Sequence, residues 1–163
     1  MNHAMLQRIV EEVAARLRRR ARSTATLSVA QLGEADIHSL LCQHASLRIV
    51  QVDLPLLEQL TGQRALTAAG CALHEAMAWG VRVQLTLLPA LLPALAVKKL
   101  ARLPLTFSDP PGQPVRLHAA SVVTYADVAR LHGGYLVLRR RPIITALARE
   151  VAVARHVQLI KQE

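Results

Sequence analysis

Aromatic side chains are nearly missing from this chain of 163 residues: one Phe, one Trp and two Tyr make up 2% of it. Proteins that read unstacked bases need aromatic platforms. Phe107, Trp79, Tyr125 and Tyr135 are too few and too scattered to supply one. The core must be built from Leu, Val and Ala instead. Cysteine is scarce as well, with only Cys42 and Cys71, both in mostly apolar sequence surroundings of the kind that suits buried structural thiols. The N-terminus carries charge every few residues and has no continuous apolar segment, so no signal peptide is expected. Free thiols in a reducing cytosol follow. Long apolar runs are lacking too. The longest uncharged one, Val83 to Val97, is interrupted by Pro89 and Pro93 and falls short of the roughly 20 residues that span a bilayer.

What is present is a large aliphatic fraction and a basic excess. Hydrophobic residues make up 52% and charged residues 19%, which excludes a disordered composition. The formal charge is +9, and it belongs to the two ends. Residues 1–22 hold six Arg against two Glu, and residues 139–163 hold five Arg and one Lys against two Glu. Basic ends of this kind bind phosphate, a membrane surface or an acidic protein face, or are simply solvated.

In "MLQRIVEEVAARLRRRARST", the residues Leu6, Ile9, Val10, Val13 and Leu17 recur at helical spacing. Gln7, Arg8, Glu11, Glu12, Arg16 and Arg18 fill the other face. The β-branched, polar stretch "STATLSV" then stops the helix near Arg22. Glu11 and Glu12 repel phosphate, there are no interleaved aromatics, and no helix-turn-helix pattern is present, so nucleic acid is not expected. The same glutamates, and the lack of Trp or Phe on the apolar face, argue against a membrane-surface helix.

Beyond this helix, strand and helix patterns alternate. Strands are expected at 46–53, 81–88 and 135–141, with a last one in "VQLIKQE". Helices are expected at 54–60, at 65–80 closed by Gly80, from Pro93 to Arg102, from Thr124 to Gly133, and over "PIITALAREVAVARH" with Pro142 near its start. "PLTFSDPPGQPVRLHA" reads as a hairpin turning at Asp-Pro-Pro-Gly. The alternation predicts an α/β fold: a single three-layer Rossmann-like or flavodoxin-like domain over 23–163, with a mainly parallel sheet. The amphipathic helix of residues 1–22 precedes it.

Chemistry-bearing motifs are sparse. No G-x-G-x-x-G, P-loop or G-x-S-x-G pattern occurs, and Gly133-Gly134 lies between a helix and a strand, where a turn is expected. "CQH" and "CALH" place Cys42, His44, Cys71 and His74 at spacings that invite zinc. The two-residue step of the first pair and the lack of a knuckle Gly argue against it, and no metal is expected. Asp53, at the end of a predicted strand, is where α/β sheets put ligand-contacting groups; its other reading is a helix cap, as a turn is for Asp109. No partner makes either a general acid or base. "RRRP" (139–142) reads as a solvated edge or a partner contact. On the residues alone, one reading is a diverged flavin- or nucleotide-binding α/β enzyme or cofactor binder using Asp53.

The stretches "LQRIVEEV", "TLSVAQL", "CQHASLRI", "VDLPLLEQL", "LPLTFSD", "VRLHAASVVTY", "TALAREVA" and "VQLIKQE" resemble a family of components of the propanediol-utilisation bacterial microcompartment. The first helix is also similar to the encapsulation peptides of microcompartment enzymes. The resemblance implies a non-catalytic structural component, without a cofactor, needed for organelle assembly during coenzyme-B12-dependent 1,2-propanediol degradation. It implies a place in the microcompartment within the cytoplasm, and shell proteins or encapsulated enzymes as partners. From the encapsulation-peptide pattern, Leu6, Ile9, Val10, Val13 and Leu17 become partner-binding residues. The arginine-rich stretch "RRRARSTAT" departs from the longer Gly/Pro/Ser-rich linker that usually follows such helices.

Overall fold

A computed structural model describes residues 2–162. The first helix, α1 (His3–Arg22), starts on the Asn2 side chain, which accepts from the Ala4 amide at 3.3 Å. It ends with Arg19, Arg20 and Arg22 in its last turn, where cations complement the helix dipole. One residue, Ser23, separates it from β1 (Thr24–Ser28). There follow α2 (Val29–Glu34), α3 (Ile37–Gln43), β2 (Ser46–Val50), α4 (Leu54–Leu60), α5 (Ala68–Ala78) and β3 (Arg82–Thr86). A 3-10 helix (Pro89–Ala94) and α6 (Val97–Leu100) lead to β4 (Leu105–Ser108) and β5 (Pro114–His118). The chain closes with β6 (Val122–Val123), α7 (Tyr125–Ala129), β7 (Tyr135–Leu138), β8 (Ile143–Ile144), α8 (Ala146–Ala154) and β9 (Gln158–Lys161).

The main sheet has seven strands in the order β1-β2-β3-β4-β5-β7-β9. Every neighbouring pair is parallel except β4 with β5, which the Asp109–Gly112 turn makes antiparallel. β6 and β8 form a separate parallel pair. The result is the α/β architecture expected from the alternation of elements: a mainly parallel sheet with helices on both faces and an N-terminal helix.

The two helical layers are offset. Alternate residues of a strand face opposite sides, and β7 shows this directly. Val137 belongs to the larger core, with Leu47, Ile49, Val83, Leu85, Phe107 and residues of α2 to α6. Its neighbours Leu136 and Leu138 belong to the smaller core, with Val128, Ala148 and Ala152 of α7 and α8. The first face is thus covered along β1 to β5 and the second along β7 and β9. The second face of β1 to β4, bearing Thr26, Arg48, Gln84 and Thr106, enters neither core.

Three local expectations change. The helix foreseen from Pro93 to Arg102 is split into the 3-10 turn, with Pro93 inside it, and the single turn α6. Pro removes an amide donor and stops an α-helix from running through it. The helix foreseen over "PIITALAREVAVARH" begins only at Ala146, because Ile143 and Ile144 pair with Val122 and Val123 and Thr145 caps the helix. Helices α2 and α3 lie in a stretch to which the sequence assigned no element. For α2 the signal was present: Ser28 and Gln31 make a reciprocal capping box, at 3.2 and 2.9 Å.

Gly134 holds φ +79° immediately before β7, and a Cβ there would collide with the Pro114 carbonyl oxygen. Gly62 has a similar φ of +73° but open space around it. Gly62→Ala should cost about 1–2 kcal/mol, the left-handed backbone penalty alone. Gly134→Ala should cost more than that, because β5 and β7 must separate. Urea denaturation of the two variants checks this, and equal losses would contradict it.

Candidate functional site

The most prominent unpartnered surface is α1. At 1.5 Å per residue it is a rod of about 30 Å, and none of its residues is buried. Leu6, Ile9, Val10, Val13 and Leu17 lie on one face and remain between 43% and 59% exposed, as does Met5 at its flank. These are six of the chain's exposed large hydrophobic side chains, concentrated on one element. Scattered single apolar residues need no explanation, but a continuous stripe does.

The helix is fixed at its base and free along its length. The Arg20 Nε donates to the Leu41 carbonyl at 2.9 Å. The Ser23 hydroxyl meets His44 Nδ1 at 2.6 Å, and the Ala45 amide donates to the Arg20 carbonyl at 3.1 Å. These bonds tie the last turn and Ser23 to the end of α3 and the loop before β2. The arginine-rich stretch is therefore helix up to Arg22 and a one-residue junction after it. Sequence spacing gave no sign of Arg20 or His44 as anchors, since their partners are 21 residues away in the chain.

On the polar face, Glu12 accepts from the Arg16 Nε at 2.8 Å and lies 3.6 Å from the Arg19 guanidinium. The hydrogen bond and charge of Arg16 hold its carboxyl below the usual value. A lowered folded value means that the contribution is complete above the ordinary carboxylate range and is lost as pH falls through the folded value.

Asp53 is a helix cap: its Oδ1 accepts from the Leu56 amide at 3.0 Å at the start of α4. It also borders a cleft of about 790 Å³ along the C-terminal ends of β1 to β4. Arg48, Gln84 and Ser108 line this cleft, and the Gln84 amide donates to the Ser108 hydroxyl at 2.8 Å. Asp109, which is buried, accepts from the Gln113 amide at 2.6 Å. Both carboxylates in the cleft are thus committed to backbone donors, as turn and cap residues are.

Cys42 and Cys71 are exposed, contrary to the buried thiols expected from their apolar sequence surroundings. Each sits on the outward side of its helix, while neighbouring Leu41 and Leu73 fill the core. His44 is engaged by Ser23 and lies apart from His74 in role. No three His, Cys, Asp or Glu side chains come together as metal ligands among the described residues. The arginines of "RRRP" lie in the loop between β7 and β8, where Arg139 and Arg140 line a shallow basic depression with Lys98 and Lys99. No helix among the described residues is long and apolar enough to cross a membrane.

These features define an α/β protein with a projecting, unpartnered amphipathic helix. Comparison with known proteins then specifies it. A PDU-like family model, for propanediol utilisation, matches residues 8–158. The chain is 58% identical over 163 residues to the bacterial microcompartment assembly protein PduM of Salmonella typhimurium, covering 100% of both chains. It is 55% identical, again over 163 residues and 100% of both, to the protein of the same name from Citrobacter freundii. The chain belongs to this family. No solved structure matches it.

The Glu12 bond yields a pH-dependent outcome. Near pH 7, Glu12→Gln should lower the helix content of α1, read from its 13Cα shifts. Near pH 2, below the usual carboxylate range, the two chains should coincide. A difference that persists at the lower pH would contradict the account.

Proposed function

We propose that this chain is a non-catalytic assembly component of the bacterial microcompartment that degrades 1,2-propanediol, acting within the cytoplasm. It comprises a docking helix, residues 1–22, and an α/β body, residues 23–163. The helix uses Leu6, Ile9, Val10, Val13 and Leu17 for protein contact. The whole molecule associates with shell proteins or encapsulated enzymes. The observation that carries this reading is the exposed stripe of α1 on a helix anchored at its base. The names of the two relatives, at 58% and 55% identity over their full lengths, support the setting.

The energetics suit reversible docking. Burying five aliphatic side chains would contribute about 7–15 kcal/mol gross. Association and side-chain ordering remove a comparable share, roughly 4–15 kcal/mol. Micromolar affinity, about −8 kcal/mol, falls inside the range this difference allows, and would suit a component that must add to a growing assembly.

The reading of the cleft beside Asp53 as a cofactor site gains no comparable observation, since its carboxylates already serve the backbone. The test is the double variant Ile9→Glu, Val13→Glu. Both positions are exposed, so the melting temperature of the body should stay unchanged. The variant should no longer co-sediment with purified microcompartments. Undiminished co-sedimentation would overturn the docking role of α1.

A further inference from the structure

We infer that the partner of the α1 stripe is a second copy of α1, paired antiparallel, so that two bodies stand at opposite ends of a two-helix rod. This rests on the reading of α1 as a docking helix and names what it docks against. The first argument is spacing. Leu6, Val10, Val13 and Leu17 recur at steps of four, three and four residues, the a/d series of a coiled-coil seam. The series reads the same from either end. When two copies run antiparallel, Leu6 of one meets Leu17 of the other, and Val10 meets Val13. The next positions outward, His3 and Arg20, are polar at both ends. They limit the apolar overlap to one register, because a shift by one heptad would bring Arg20 against Val10 in one direction or His3 against Val13 in the other.

The spacing alone also permits a parallel pair, and charge decides between the two. Residues 2–12 hold one Arg and two Glu, whereas residues 13–22 hold five Arg and no acid. Parallel pairing would set ten arginines side by side. Antiparallel pairing sets each arginine-rich half beside the partner's residues 1–10, which carry a single Arg, and so keeps the two arginine clusters at opposite ends of the rod. It also opposes the two helix dipoles, the favourable arrangement for neighbouring helices. Such a pair is closed by a twofold axis, the commonest symmetry among homodimers.

The body leaves room for this. No residue of α1 is buried and none joins either core, and the bonds that hold α1 to the body involve Arg20, Ala21 and Ser23 at its base. In the paired state the second body begins near the first residues of the partner helix, about 30 Å from the first body. Two bodies per particle would then present two identical surfaces to an assembly and gain avidity.

The test uses the full chain with both exposed cysteines removed, Cys42→Ser and Cys71→Ser, carrying either Leu6→Cys or Leu17→Cys. Under mild oxidation, a mixture of the two chains should give a disulfide-linked dimer through positions 6 and 17. Neither chain alone should do so, because like positions lie about 16 Å apart in the antiparallel pair, beyond disulfide reach. Sedimentation of the unaltered chain should show twice the 17.8 kDa mass of one copy, and Val13→Glu should return it to one copy. Crosslinking of the Leu17→Cys chain with itself, or a single-copy mass for the unaltered chain at high concentration, would overturn the inference. A monomer that still loses microcompartment association on Ile9→Glu, Val13→Glu would do so while leaving the docking role of α1 intact.

Discussion

Between β4 and β5 the chain turns back on itself while the sheet continues to grow in the same lateral direction. Right-handed crossovers place their helices on a face fixed by strand direction and by the direction of growth. Reversing one of these and not the other moves the helices to the opposite face. The Asp109–Gly112 turn, held by the Asp109 carboxylate on the Gln113 amide, is thus where the two cores part company. It leaves the second face of β1 to β4 without a helical cover. Parallel sheets are ordinarily apolar on both faces. Here the uncovered half carries Thr24, Thr26, Arg48, Gln84, Thr86 and Thr106, which tolerate water.

That polarity bears on α1. A projecting amphipathic helix would ordinarily fold back onto its own body and bury its stripe. The open face offers hydroxyl, amide and guanidinium groups rather than aliphatic surface, so Leu6, Ile9, Val10, Val13 and Leu17 gain little there. Desolvating those polar groups under an aliphatic stripe would cost free energy with nothing to hydrogen-bond in return. The Arg20 and Ser23 bonds fix where α1 leaves the body. Polarity of the sheet and anchoring of the junction together leave the stripe available to another protein.

Much of this was legible in the sequence because it rests on local periodicity. The α1 stripe follows the helical spacing of five aliphatic residues. Strands β2, β3 and β7 and the β4–β5 hairpin follow from β-branched runs and the Asp-Pro-Pro-Gly turn. Asp53 was readable as a cap from its place before Leu-Pro. Other features were not, for reasons of chain distance or length. The two-residue strands β6 and β8 are too short to carry a period, and they exist because Val122–Val123 and Ile143–Ile144 meet in space. Cys42 and Cys71 have apolar neighbours in sequence, yet helix geometry turns them outward while Leu41 and Leu73 point in. The absence of a hinge after α1 depends on contacts with Leu41 and His44 that no spacing rule encodes.

The central claim is that the apolar face of α1 serves another protein and not its own body. Hydrogen–deuterium exchange, compared between the dilute chain and purified microcompartments, tests it most directly. In the dilute chain, amides of residues 6–17 should exchange far faster than those of β2 and β3, whose strands are paired on both sides. In microcompartments the same amides should become protected. Protection of residues 6–17 in the dilute chain equal to that of β2 and β3 would contradict the account.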